Sequence, residues 1–290
     1  MLKRMVFIST LKKVNGQITL KQCKSPFPEL LISNGESLNI TFLDTETTGT
    51  NRLNDEVIEI AIKKIEFEKD SGKIIKIIGQ YESFNEPSQE ISDKITKLTG
   101  IDDKIVKNKF IDWDLIDSVL ENTDIIVAHN AKFDRAFVDR YSSISPSKIW
   151  GCTINDIDWF EKGFSSSKQE LLCYWHGFYF EAHRAMNDVD ALIQLLIHPH
   201  YGKNRPILEL IKNARQIRFK ILVSNFPYNE QKKDKIKGDG YKWSTIDKIW
   251  YKEVDESDLI LEKKYLSSVV YNGEFKGHVK EINPNERYKS

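Results

Sequence analysis

The chain has 290 residues, 43 basic and 43 acidic side chains, and no net formal charge. That balance excludes a bulk electrostatic field, so any nucleic-acid surface must be local. The length favours one large domain with a small one beside it, and no apolar run approaches the ~20 residues of a membrane span.

Cys23, Cys152 and Cys173 lack C-x-x-C spacing, and their odd number argues against a disulfide framework. Reduced thiols in a cytoplasmic protein are expected, not a zinc site. The start of the chain faintly imitates a signal peptide, but Lys12-Lys13 follow at once and no small-residue cleavage site is evident.

Residues 1–37 read as an extension on the main domain. Residues 6–11 and 17–23 are predicted to pair as a hairpin across Asn15-Gly16, a strong turn dipeptide. The stretch 40–49 begins as an apolar, β-branched run that reads as a buried strand, then presents Asp44 and Glu46. Residues 55–67 form a long strand whose apolar phase shifts at Lys63-Lys64, as a bulge would make it. Residues 73–84 return as its partner, which predicts an antiparallel meander. Helices are predicted over 92–99, ending at Gly100, and over 112–122. Then come strand 124–128, helix 131–141, strand 149–154, helices 155–160 and 167–175 (the second capped by serine), and the amphipathic helix 185–197. This order predicts an α/β domain with a mixed sheet over residues 38–213. Residues 214–272 read as a small β-α-β-β-α domain of α+β character, and 273–290 as a flexible polar tail.

Three acidic stretches carry candidate chemistry. In Leu43-Asp44-Thr45-Glu46 the two acids leave the same face of a strand, because side chains alternate across it. Like charges side by side at the end of an apolar strand require protonation of one acid or a bound cation; the competing reading is a solvated strand end. Thr47-Thr48-Gly49 is a turn of small residues that lets a backbone or phosphate approach. In His129-Asn130-Ala131-Lys132-Phe133-Asp134 a buried strand runs into a helix; Asn130 is placed as its N-cap, and Asp134 alone could be a solvated helix acid. The third stretch is His183-Arg184-Ala185-Met186-Asn187-Asp188. On one helix His183 and Asp188 would point about 140° apart, at roughly 100° per residue. They serve one site only if the helix begins after His183. Asp190 lies about 160° further round from Asp188 and is assigned to solvent.

D-x-E on a strand, H-N-A-x-F-D at a strand–helix junction and H-R-A-x-N-D at the last helix together resemble the three motifs of the DEDDh exonucleases. This is the ribonuclease-H-like superfamily that includes the epsilon subunit of bacterial DNA polymerase III, ribonuclease T and exonuclease X. The resemblance covers residues 38–200, and Leu98-Thr99-Gly100-Ile101 fits its epsilon-like branch. It implies a ribonuclease-H-like mixed β-sheet flanked by helices. It also implies that Asp44, Glu46, Asp134 and Asp188 are metal ligands and His183 the general base. Thr47, Thr48, Leu53 and His129 would be substrate-binding residues at the 3′ end; for the threonines and Leu53 the competing reading is turn packing. Four carboxylates with no cysteine nearby suit Mg²⁺ or Mn²⁺. Two such ions about 3.5–4 Å apart suit phosphodiester hydrolysis. The implied activity is 3′→5′ hydrolysis of single-stranded DNA or RNA 3′ ends, DNA slightly preferred, releasing nucleoside monophosphates. A non-catalytic nucleic-acid-binding subunit is the alternative from another class. A polymerase or repair partner and a homodimer are compatible with the resemblance; no membrane partner is expected of a chain without an apolar span.

In the second domain, Tyr241, Trp243, Trp250 and Tyr251 could stack on bases. The competing reading is that they alternate into a small core. Residues 216–290 hold 15 basic and 12 acidic side chains, so the region is barely basic.

Overall fold

The structure is a computed structural model that describes residues 7–11, 13–23, 27–28 and 35–289. In chain order the elements are β1 (Lys21–Gln22), β2 (Ser37–Thr47), β3 (Val57–Glu68), β4 (Ile74–Phe84), α1 (Asp93–Thr99), α2 (Asp103–Val106) and α3 (Trp113–Glu121). Next come β5 (Ile125–Ala128), α4 (Ala131–Val138), β6 (Ile149–Cys152), α5 (Gln169–Trp175), β7 (Phe178–Tyr179), α6 (Ala185–Leu196) and α7 (Pro206–Ala214). Last are β8 (Arg218–Leu222), α8 (Glu230–Gly238), β9 (Lys242–Ser244), β10 (Ile249–Val254), α9 (Glu256–Val269) and β11 (His278–Ile282). They divide into two units, Met1–Ala214 with Tyr288–Ser290, and Arg215–Arg287.

The first unit is built on a mixed five-stranded sheet in the order β4-β3-β2-β5-β6. β2, β3 and β4 form the antiparallel meander, while β5 and β6 run parallel to β2. Parallel neighbours need long crossovers, and helices supply them. Local chemistry sets several helix ends: Ser92 accepts the Ile95 N–H at the start of α1, and Gly100 (φ 73°) stops it in the left-handed region. One sheet face, with Ile40, Phe42, Ala61 and Ile65, packs against α5, α6 and α7 through Leu172, Val189, Leu192 and Leu210. The other, with Leu43, Ile60, Ile62 and Ile126, packs against α3 and α4 through Ile116, Leu120, Phe137 and Val138. The sheet is thus flanked by helices on both faces, a ribonuclease-H-like arrangement.

This double burial corrects the reading of β3. Its phase shift at Lys63-Lys64 is not a bulge in that strand, which runs in regular register with β2 from Glu59 to Glu68. Alternate residues simply feed opposite cores. Against β4 the extra residues are Ile78 and Ile75 of that strand, and β3's own extra residue, Ile58, lies earlier, between the Glu59–Glu46 and Val57–Thr47 pairs. Polar side chains on the α6 face of β3 are paired instead of solvated. Lys63, only 1 % exposed, pairs with Asp190, so Asp190 is not the solvent-facing acid expected.

Other expectations also change. Asn15 and Gly16 do turn the chain (φ 49° and 78°), closing a bridge between Val14 and Gln17. The hairpin does not extend, however: β1 pairs in parallel with β7, and the Ile8 N–H donates to the Trp175 carbonyl. Residue 6 of the predicted hairpin lies outside the described residues. Asn130 stands at the N-cap of α4 without a side-chain cap bond, and Lys168, not a serine, occupies that position of α5. Residues 155–160 form turns, not a helix, because side chains claim the backbone there. Asp156 accepts the Cys152 N–H at 2.8 Å, and the Trp159 indole donates to the Thr153 carbonyl at 2.7 Å. Helix α7 was not anticipated from the sequence.

The second unit is an antiparallel sheet, β11-β8-β10-β9, whose core joins Ile221, Val223 and Val254 to Ile236 of α8 and Leu266 of α9. The segment expected as a flexible tail supplies β11, which covers an edge of β8 that would otherwise leave backbone groups unpaired. No helix among the described residues is long and apolar enough to cross a membrane.

The Lys63–Asp190 pair generates a stability test. Asp190→Ala removes the carboxylate from a buried ammonium and should lower the free energy of unfolding by about 3–5 kcal/mol. The double replacement Lys63→Met with Asp190→Ala should recover most of that loss in denaturant titrations.

Candidate active site

The site forms where β2 leaves the core. Ile40 and Phe42 anchor one face of the strand, and period-two alternation carries Asp44 and Glu46 out on that face. Helix α6 packs there through Val189, Leu192 and Leu196, which places Asp188 of its first turn over the two acids. Asp44, Glu46 and Asp188 offer oxygens that all lie within 4.8 Å of one another. The Arg184 N–H donates to Asp188 Oδ2 at 3.3 Å, so the same carboxylate also satisfies the start of its own helix.

The helix begins at Ala185, which leaves His183 on the entering loop. His183 adopts φ 64°, a left-handed conformation uncommon outside glycine. That turn brings its Nδ1 to 3.9 Å from Glu46 Oε1, with the side chain 44 % exposed. The five-residue separation that defeats a single helix is resolved by this backbone turn.

Asp134 arrives from α4, on the opposite side of the sheet, and is buried. Its Oδ1 accepts the Thr45 N–H at 3.1 Å and the Thr45 hydroxyl at 2.9 Å. It stands outside the group of three, although its charge is felt at Asp44 and Glu46.

Burial, and after it the crowding of acids, dominates the electrostatics. Burial, then the charges of Asp134, Asp188, Glu46 and Glu59, hold the Asp44 carboxyl well above the usual carboxylate range. Burial followed by Asp188 and Glu59 pushes Glu46 up to about 8, with Arg184 opposing. Burial raises Asp134 and Asp188 to about 7, against hydrogen bonds from Thr45 and from the His183 and Arg184 backbone respectively. A cluster of hard oxygen donors with excess negative charge fits a hard divalent cation such as Mg²⁺ or Mn²⁺.

Glu59 belongs to the site although the sequence reading did not single it out. It lies opposite Glu46 in the β2–β3 ladder and is 3 % exposed. Its Oε1 accepts from Arg184 Nε and Nη2 at 3.3 and 3.2 Å, and its Oε2 accepts the Ala185 N–H at 3.1 Å. It therefore fastens the N-terminus of α6 to the sheet beside the site. The signal was a lone acid inside Val57-Ile58-Glu59-Ile60-Ala61, since a charge in a buried strand needs a partner.

The residues expected at a 3′ end are placed as follows. The Thr47 hydroxyl donates to the Gly49 carbonyl at 2.6 Å. The Thr48 hydroxyl donates to Asp55 Oδ1 at 3.2 Å and accepts the Glu56 N–H at 3.0 Å. A Cβ on Gly49 would meet Asp55 Oδ2 at 2.5 Å, so only glycine lets this carboxylate close the loop. Arg140 Nη1 donates to the Arg52 and Asp55 carbonyls, leaving Leu53 at the tip, 78 % exposed. His129 Nδ1 lies 2.8 Å from Thr153 Oγ1, and burial lowers its pKa to about 4.

A family model described as Exonuclease matches residues 41–196, more than half of the chain, and this span contains all four motif acids and His183. The PolC-type DNA polymerase III of Caldanaerobacter subterraneus subsp. tengcongensis is 33 % identical over 165 residues, which cover 53 % of this chain and 11 % of that protein. The PolC-type enzyme of Listeria monocytogenes is 28 % identical over 219 residues, 71 % of this chain and 13 % of that one. The chain thus spans little more than a tenth of the length of these curated relatives. A solved structure of E. coli exonuclease I in complex with a dT13 oligonucleotide superposes with a TM-score of 0.51 at 17 % identity, over 86 % of this chain and 64 % of that one. That is a likeness of fold. The chain belongs to the exonuclease family, within the DEDDh 3′→5′ exonuclease superfamily.

Proposed function

We propose that the protein is a metal-dependent 3′→5′ exonuclease that removes nucleoside monophosphates from single-stranded nucleic acid, DNA slightly preferred. The observation that carries this reading is the convergence of Asp44, Glu46 and Asp188 within 4.8 Å, with His183 turned toward Glu46. The DNA polymerases among the relatives favour DNA over RNA.

Asp44, Glu46 and Asp188 would hold Mg²⁺ or Mn²⁺, with Asp134 adding charge from the other side of β2. Two divalent ions bound there supply activation of water and neutralisation of charge on the leaving oxygen. The remaining work falls to the chain. Asp188 ties α6 to the site through its own helix start. Glu59 fixes that helix against β3 and so positions His183. With Nδ1 directed at Glu46, His183 Nε2 takes the proton of the attacking water. Thr47 and Thr48 shape the turn whose backbone meets the terminal 3′-OH, and Leu53 offers an exposed apolar contact to the last base. His129, held by Thr153, lines the approach.

The direct test is digestion of 5′-labelled single strands of DNA and RNA with Mg²⁺. Stepwise shortening from the 3′ end is expected, faster on DNA, and none with Asp44→Ala. Equal or greater rates on RNA would shift the reading to a 3′-end-trimming exoribonuclease. Strand binding without shortening would make the protein a non-catalytic subunit of a polymerase or repair complex.

His183→Ala should lower turnover by about 10²–10⁴-fold with Mn²⁺ affinity retained, whereas Asp188→Ala should weaken both. Mn²⁺ titrations beside rate measurements check this, and loss of metal by the histidine variant contradicts the assignment.

Metal binding should be proton-linked. With Glu46 at about 8 and Asp134 and Asp188 at about 7, the metal-free site holds protons at neutrality that a cation must displace. Apparent Mn²⁺ affinity should therefore rise with pH up to those raised values and level off above them. Calorimetry in two buffers of different ionisation enthalpy measures the released protons; a buffer-independent enthalpy contradicts the prediction. Without metal the folded state binds more protons than the unfolded one, so its stability should fall as pH rises from the ordinary carboxylate range toward neutrality and above.

A further inference from the structure

The second unit holds a groove that the exonuclease reading does not use. It measures about 1080 Å³ and runs between the loop after β8, helix α8 and the β9–β10 hairpin. Trp243 and Trp250 sit opposite each other in that hairpin, with ring centroids 5.5 Å apart. Only part of this aromatic set serves the core. Tyr241 is buried there and Trp250 packs against it, but Trp243 is 48 % exposed and Tyr228 74 %.

Lysines edge the same groove. Lys233, Lys237, Lys242 and Lys248 line it, against a single lining acid, Asp247, which accepts a hydrogen bond from the Ser244 hydroxyl at 2.9 Å. Lys233 pairs with Glu230, whereas Lys237, Lys242 and Lys248 make no ion pair among the described residues. Residues 216–290 are barely basic, with 15 basic and 12 acidic side chains. The groove lining alone therefore carries as much net positive charge as that whole stretch.

These features select among occupants. A small apolar ligand would have no use for the lysines. An acidic peptide would satisfy the lysines but leave the exposed aromatic faces without flat partners. An unpaired polynucleotide strand offers both phosphates and stacking faces. We propose that this groove binds single-stranded nucleic acid, with bases stacking on Trp243 and Tyr228 and phosphates meeting Lys237, Lys242 and Lys248. The choice of this polymer rests on the exonuclease reading; the charge and the exposed rings do not.

The test uses the full chain in EDTA, so that strand binding is read without hydrolysis. The probe is a fluorescein-labelled oligothymidylate of about 20 nucleotides, longer than the ~4–16 that one small single-strand-binding fold occupies. Trp243→Ala should weaken binding by about 5- to 150-fold, the loss expected when one stacked base is deprived of its platform. The triple variant Lys237→Glu, Lys242→Glu, Lys248→Glu should reduce the slope of log affinity against log salt by about 2, at ~0.7 for each phosphate no longer neutralised. Thermal melting checks folding; if Trp243→Ala unfolds, the lysine variant, altered only at exposed positions, decides. Affinity and salt slope within twofold of the unaltered chain in the folded variants would overturn the proposal. So would loss of poly-glutamate binding with oligothymidylate binding intact, which would assign the groove to an acidic protein segment. Dinucleotide hydrolysis by the unaltered chain reports separately on the exonuclease reading. Its absence, alongside groove-dependent strand binding, would sink that reading and leave this one standing.

Discussion

Mutual repulsion among half-buried carboxylates is the constraint on which this structure turns. Asp44, Glu46 and Asp188 come together although burial, then the charges of Asp188 and Glu46, raise the proton affinity of Asp44, and burial, then Asp188, raises that of Glu46. Such a cluster survives only where the elements that carry it are held by something stronger. β2 is clamped by apolar cores on both faces, so its two acids have no route of retreat. Helix α6 is held by its apolar stripe and by two polar fastenings, Glu59 to Arg184 and Ala185, and Asp190 to Lys63. A slide of α6 along the sheet would break both fastenings and carry Asp188 away, so the same interactions that lock the helix register also set the geometry of the acids. Asp134 is secured differently, by two hydrogen bonds from Thr45, the residue between the paired acids.

The consequence is a carboxylate cluster held in place by the fold itself. Side chains that must be gathered from a mobile loop lose conformational entropy; Asp44, Glu46 and Asp188 lie on a strand and on the first turn of a helix. Even the irregular part is constrained. His183 holds a left-handed turn between β7 and α6. The loop after β2 is closed by Asp55, by the Gly49 approach and by Arg140. Left-handed non-glycine residues gather at functional sites because the surrounding structure over-determines them.

The second unit follows another logic. It has its own small core and lies outside the residues that the exonuclease family model covers. Its exposed tryptophan and groove lysines add nothing to that core, and their chemistry suits a ligand better than packing.

Much of this was legible in the sequence. Alternation along the strand that begins at residue 40 placed Asp44 and Glu46 on one face, because strand geometry depends only on local backbone. Spacing and helical pitch required the helix to begin after His183 if that residue and Asp188 were to share a site, and α6 does begin after it. Most strands and helices announced themselves through turn residues, caps and apolar period. What the sequence left open depended on partners distant in the chain. Whether Asp190 met water or Lys63, whether β1 paired with a hairpin mate or with β7, and whether β11 was loose or covered a sheet edge were decided by which surfaces folding brought together. Glu59 is the sharpest case. Nothing within its own strand names its partners, since Arg184 lies 125 residues away, and only the tertiary structure places that guanidinium and the first N–H of α6 against a carboxylate that burial would otherwise have left uncompensated.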